Sequence, residues 1–172
     1  TSLEAVLKEV KKYIPHLNKK ALIMRANRLG LNRKAYAANL QQKKIKIPPP
    51  SKELAWFLGV LAGDGYVSSL EDKSKSYRVL LIVTVEDFMK QFAKIGTALF
   101  GIQPRLRNYN KYKLEGKWRK YYDCSFFSKR MIEFLGVWKE NIWFKTLKYK
   151  FNWIWKNKQF ISAFLSGFFD SE

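Results

Sequence analysis

The apolar positions near the start of the chain follow a helical repeat. Leu3, Val6, Leu7, Val10 and Tyr13 share one side of a 3.6-residue period and predict a helix over 3–13, opened by Ser2 and ended by Pro15. A second helix is predicted from Asn18 through Leu22, Ile23, Ala26 and Leu29, stopping at Gly30, and a third over 32–40. Arg25, Arg28, Arg33 and Lys34 lie close to the last turn, so the three read as a small helix-turn-helix-like module or as a structural cap. Lysines and three consecutive prolines then interrupt the pattern over 43–50. Proline favours extended backbone, and the domain boundary is placed here.

After residue 50 the pattern alternates between helix and strand. Ser51 is positioned to cap a helix over 52–64, closed by Gly65. Segments 66–70 and 77–85 read as strands around the charged turn 71–76. Residues 86–100 form an amphipathic helix with Phe88, Phe92, Ile95, Leu99 and Phe100 on its apolar side. Segments 103–111 and 117–127 read as a second hairpin about Glu115-Gly116. A helix over 128–138, an irregular basic-aromatic stretch and a last helix over 157–172 follow. The order from residue 52 is α-β-β-α-β-β-α, then the start of another such unit. The fold class is α+β, with helices expected on one face of a four-stranded antiparallel sheet and the other face open.

Composition adds a partner to this picture. The chain carries 33 Lys and Arg against 14 Asp and Glu, a formal net charge of +19. Self-repulsion of that size opposes compaction and points to a polyanionic partner, with nucleic acid first and an anionic membrane surface second. Ribosomal proteins and highly solvated surfaces share the same charge. One cysteine, Cys124, excludes an internal disulfide, and with His16 as the one histidine there is no Cys/His zinc site. The first residues lack a signal-peptide pattern, and the apolar runs 56–63 and 79–85 fall short of a membrane span. The expectation is a soluble intracellular protein, cytoplasmic or organellar, with no membrane contact and no small-molecule substrate.

Trp56-Phe57-Leu58-Gly59-Val60-Leu61-Ala62-Gly63-Asp64-Gly65 resembles the LAGLIDADG motif. Phe164-Leu165-Ser166-Gly167-Phe168-Phe169-Asp170-Ser171-Glu172 resembles a second copy, one α-β-β-α-β-β-α unit further on. The resemblance covers 52–172 and is to the double-motif LAGLIDADG homing endonucleases. The pattern makes residues 1–47 a small basic helical domain with a candidate DNA-binding role, and 48–51 a linker, and the resemblance implies 52–156 as a first half-domain. Residues 157–172 would be the helix that begins a second. Small residues Gly59 and Gly63 on one motif helix, and Ser166 and Gly167 on the other, permit close backbone approach, so that the two helices pack side by side. Their C-terminal ends would bring Asp64 and Glu172 together. Two carboxylates at two negative helix ends repel, and a divalent cation relieves the conflict; hard oxygen ligands select Mg²⁺, or a relative such as Mn²⁺, over zinc. In this family the motif acids hold metal at the scissile phosphates, which implies Asp64 and Glu172 as catalytic metal ligands, assisted by the carbonyl of Gly63. A lysine near the active site is also usual, and Lys145 best matches its place, with lysines 139, 148 and 150 competing.

The strands supply the candidate reading surface. Period-two alternation turns Val79, Leu81 and Val83 toward the helices and Arg78, Leu80 and Ile82 away. Leu106 is expected inward with Arg105, Arg107 and Tyr109 outward. Tyr122, Cys124 and Phe126 are expected inward, with Arg119, Tyr121, Asp123 and Ser125 outward. The outward set can hydrogen-bond base edges, and Lys111, Lys113 and Lys117 at the hairpin tip suit phosphates. The aromatics Trp138, Trp143, Phe144, Phe151, Trp153 and Trp155 are expected in core and inter-unit packing rather than as a base-stacking platform. The resemblance implies a site-specific, Mg²⁺-dependent cutter of double-stranded DNA, intron- or intein-encoded, that needs a further C-terminal half-domain in the same or a separate chain. The alternative on the same scaffold is a non-cleaving nucleic-acid binder, a maturase or transcriptional regulator.

Overall fold

The α-β-β-α-β-β-α order is present in a computed structural model of the protein. It describes residues 45–70, 77–112, 116, 118–136 and 143–171, with Glu9, Lys12, Lys20 and Met24 nearer the N-terminus. Helix α1 (Lys52–Ala62) is capped by Ser51, whose Oγ accepts a hydrogen bond from the Leu54 amide at 3.1 Å. It ends two residues before the expected position, at the Gly63 cap, whose N–H reaches the Gly59 carbonyl. Strands β1 (Gly65–Val67) and β2 (Arg78–Val83) are shorter than expected, β2 because Val85 already serves as the N-cap of α2 (Glu86–Phe100). Helix α2 has its expected bounds and stops where Gly101 turns left-handed, at a φ of 69°. Then come β3 (Arg105–Tyr112), β4 (Trp118–Phe127) and α3 (Lys129–Leu135), which Ser128 caps through the Met131 amide. Helix α3 is shorter than the expected 128–138, breaking at Gly136 with φ 84°.

The stretch expected to be irregular is instead helical where described. Helix α4 (Trp143–Lys150) and a 3-10 helix (Asn152–Lys156) lead into α5 (Lys158–Asp170), capped by Asn157. In α4 Leu147 is the one buried residue, and Trp143 one turn before it packs on the same core, a short stripe among lysines and exposed aromatics. Lys150 ties its end down by donating to the Glu133 carbonyl at 2.9 Å, and partial burial pulls the Lys150 ammonium below its ordinary pKa.

The four strands form one antiparallel sheet in the order β1-β2-β4-β3. Val79, Leu81, Val83, Cys124 and Phe126 face the helices and join the core, as alternation requires. At the centre Phe57 stacks on Phe92 at 4.5 Å and meets Phe100 and Phe126 edge-on or tilted. Phe151 is buried, and Trp143 and Trp153 pack on the same core; Phe144 and Trp155 are exposed, although Trp155 meets Phe164 edge-on, and Trp138 lies outside the described residues.

The chain divides into two compact units, Thr1–Asn39 and Leu40–Glu172. In the first, Glu9, Lys20 and Met24 are helical; the rest of the three expected helices lies outside the described residues. The division falls earlier than the expected boundary near 47. Residues 45–48 belong to the second unit: the Lys46 amide donates to the Phe100 carbonyl at 3.0 Å, Ile45 packs on the core and Pro48 is buried. Among the described residues no helix is long and apolar enough to cross a membrane.

Candidate functional site

Helices α1 and α5 make the most extensive helix–helix contact in the described fold, and glycine makes it possible. A Cβ at Gly59 would overlap the Phe164 carbonyl oxygen, and a Cβ at Gly167 would overlap the Trp56 carbonyl oxygen. The relation is reciprocal, each glycine lying against the residue three before the other. One turn on, a Cβ at Gly63 would collide with Ser171 Oγ. The small partner of Gly63 is therefore Ser171. Ser166, expected in the seam, is exposed and donates to Asp170 Oδ2 at 3.0 Å.

This packing delivers the C-terminal ends of both helices to one place. A cleft of about 450 Å³ opens there, lined by Asp64, Asp170 and Ser171 from the helix ends and by Ile82, Thr84 and Tyr121 from the sheet side. Asp64 and Asp170 are both exposed, whereas Ser171 is buried and donates to the Phe168 carbonyl at 2.8 Å. Two carboxylates at two helix C-termini make a local concentration of negative charge in a strongly cationic chain, which favours a bound cation. The available donors are carboxylate, carbonyl and hydroxyl oxygens, the hard set that suits Mg²⁺ or Mn²⁺. Among the described residues no group of three or more His, Cys, Asp or Glu gathers as a metal site. Glu172 lies outside the described residues. Gly63, half-buried, sits at the α1 end beside Ser171. Lys145 is exposed on α4 and is not among the residues lining the cleft. Asp170, Ser171 and Thr84 were not singled out in the sequence; the four-residue step from Ser166 to Asp170, at the last turn of the motif helix, was the available signal for the acid.

Beside the cleft lies the open face of the sheet. Strand register sorts its residues: Arg105, Ser125, Leu80 and Tyr66 form one row, Arg107, Asp123 and Ile82 the next, and Tyr109 with Tyr121 the third. Lys111 pairs with Arg119 beyond them, and Arg78 opposes Phe127 at the other end. Every described member of the expected outward set thus shares one face, opposite the core residues. Tyr109 and Tyr121 stack at 5.8 Å, and Tyr121 also lines the cleft, so face and cleft are continuous. Lys113, Lys117 and the side chain of Lys111 lie outside the described residues. Arg105, Arg107, Tyr109 and Arg119 are exposed, and Arg78 is half-buried with its Nε unpartnered.

Two members of the set differ from expectation. Asp123 and Ser125 are 8% and 3% exposed, because β4 is a central strand and its short side chains lie between longer ones on β2 and β3. Leu80, also expected outward, is buried outside the core cluster. Leu106 is on the helix side, in register with Cys124, yet half-exposed because β3 is the edge strand. Behind this face, burial foremost and the neighbouring Asp123 carboxylate push the Cys124 thiol up to about 12, which leaves it a neutral core group.

No family model matches the chain. It is similar to an uncharacterized protein of Methanocaldococcus jannaschii, with 29% identity over 155 residues that cover 87% of this chain and 52% of that protein. The chain thus spans about half the length of the curated relative it matches.

Proposed function

We propose that this chain is the DNA-reading and DNA-cutting part of a LAGLIDADG-type homing endonuclease, a site-specific, metal-dependent cutter of double-stranded DNA encoded by an intron or intein. The observation that carries the reading is the reciprocal Gly59–Gly167 seam, which brings Asp64 and the end of the second motif helix into one cleft bordering an arginine-bearing open sheet face. A net charge of +19 supplies the general attraction to a phosphate backbone. Arg105, Arg107, Arg119 and Arg78 stand on the open face as the readers of base edges and phosphates, with the Tyr109–Tyr121 stack between the rows of Arg107 and Arg119.

Asp64, Glu172 and the Gly63 carbonyl are the groups that would hold Mg²⁺ or Mn²⁺. When bound there, the cation supplies Lewis-acid assistance to phosphodiester hydrolysis. The protein's own part is to fix the spacing of the acids through the glycine seam and to hold the duplex against the sheet. Lys145 keeps the assisting role that the motif resemblance gives it.

A second unit of the same kind, in the same or a separate polypeptide, completes this reading. On α5 the positions that correspond to the core-facing Phe57 and Leu61 of α1 are Leu165 and Phe169, 41% and 63% exposed. They are the apolar face on which that unit would sit, and a relative that matches over only 52% of its own length is compatible with it.

Selection of bound and cut duplexes from a random library, with the chain alone and together with its second unit, tests the proposal. A preferred duplex sequence is expected, cut in Mg²⁺ and bound without cutting in Ca²⁺. Asp64→Asn is expected to lower cleavage at least a hundredfold and leave binding within about twofold. Retention of cleavage by that variant would overturn the metal assignment. Sequence-specific binding without cleavage in any divalent cation would favour the maturase or regulator alternative.

A further inference from the structure

We propose that Asp123, on the open sheet face, is a positioning residue that orients Arg107 to read guanine, and that Ser125 holds it in place. The inference rests on the DNA-binding reading above and assigns one base preference to one pair of side chains.

Asp123 is the one buried charged side chain among the described residues, and it is buried on the face away from the hydrophobic core. A carboxylate taken out of water is costly unless hydrogen bonds and opposite charge compensate it. One oxygen is accounted for, since Ser125 Oγ donates to Asp123 Oδ1 at 2.6 Å. Register places an opposite charge within reach. Arg107 stands directly opposite Asp123 on β3, and Arg105 stands opposite Ser125. Directly opposed residues on one face have Cβ atoms about 5 Å apart, within easy reach of an arginine fork. On the other flank Asp123 opposes Ile82, which is apolar, so Arg107 is the one charged side chain directly opposite it.

Burial also decides what Asp123 does not do. At 8% exposure, beneath longer neighbours, it is poorly placed to accept directly from a base, whereas exposed Arg107 reaches further from the sheet. A guanidinium carries five N–H donors in a planar fork, so one edge can rest on the carboxylate while the other pairs with the N7 and O6 of guanine. Holding the fork in advance lowers the rotamer entropy lost on binding. Ser125, by fixing Oδ1, selects the carboxylate orientation that Arg107 meets.

The test is a binding selection from a random duplex library with the full chain, comparing wild type, Asp123→Asn, Ser125→Ala, Arg107→Ala and the Asp123→Asn/Arg107→Ala double variant. Asp123→Asn is expected to weaken preference for guanine at one position about tenfold, with total affinity for random duplex changed far less. Ser125→Ala should weaken the same preference by a smaller factor. In the Arg107→Ala background Asp123→Asn should have no further effect at that position. Circular dichroism on each variant reports folding, and the isosteric Asn keeps the strand's packing. An Asp123→Asn effect of equal size with and without Arg107 would mean direct contact and overturn the inference, as would an unchanged preference. If the chain binds no duplex in preference to single strands, the functional reading fails and takes this inference with it; specific binding indifferent to Asp123 removes the inference alone.

Discussion

Phe57 and Leu165 hold corresponding places on α1 and α5, yet one is wholly buried at the centre of the aromatic cluster and the other is 41% exposed. The contrast extends along both helices. Eight of the eleven residues of α1 are buried, whereas in the thirteen of α5 only Phe164 and Gly167 are. Helix α1 has two packed sides, one on the sheet and α2 and one on α5. Helix α5 has α1 and the preceding 3-10 helix as its principal neighbours among the described elements. The two motif helices share a seam but not a share of the core. The seam residues, Trp56 with Phe164 and Gly59 with Gly167, are therefore the part of the motif whose environment is the same on both sides.

The comparison can be broken at its strongest point first. Phe57→Ala is expected to cost about 4 kcal/mol of unfolding free energy, since it removes a ring that stacks on Phe92 and touches Phe100 and Phe126; urea titration measures it. Gly59→Ala comes next, at about 3 kcal/mol, because its new methyl meets main chain that cannot rotate away. Hydrogen exchange should then show α5 losing protection before the sheet does. Gly101→Ala separates conformation from space: nothing lies near its Cβ, so its left-handed φ alone should cost about 1 kcal/mol. Leu165→Ala, the counterpart of the first variant, should change stability by less than about 0.5 kcal/mol in the isolated chain.

Cys124 sharpens the comparison as an internal reporter. Its thiol lies in the core behind the sheet and has been pushed up to about 12, so it should resist alkylation at pH 8 until the main core opens. A Gly59→Ala protein that has released α5 alone should keep that resistance, and rapid labelling would show that the seam and the core fail together. The same shift sets a pH dependence. The unfolded thiol ionises near its ordinary 9.0 while the folded one does not, so this contribution is intact below about pH 9 and is lost as pH climbs toward about 12.

Sequence pattern carried some of this a long way. The amphipathic spacing of α2 located both its ends, because a helix half-covered by a core writes its burial as a 3.6-residue stripe. Alternation placed the strand residues on their correct faces for the same reason. It left their exposure open: alternation gives a side of the sheet, while strand order decides that Asp123 on central β4 is covered and Leu106 on edge β3 is not. Helix α4 escaped notice because its core-facing side is short, Trp143 and Leu147 one turn apart among lysines and exposed aromatics. At the site, the small residues of both motifs were legible, and helical spacing favours Ser171, not Ser166, as the partner of Gly63. Four residues separate Gly59 from Gly63 and Gly167 from Ser171, which keeps each pair on one helix face, whereas Ser166 is rotated about 100° from Gly167.

The crossing of α1 and α5 is main chain against main chain, a carbonyl oxygen lodged where a side chain would begin. Its dimension is set by the radii of oxygen and carbon, quantities that no replacement elsewhere can alter. Neighbouring side chains can drift through generations of substitution while the span between the helix tips keeps its width, provided the two glycines persist. A ruler built from backbone stays calibrated when everything printed beside it changes.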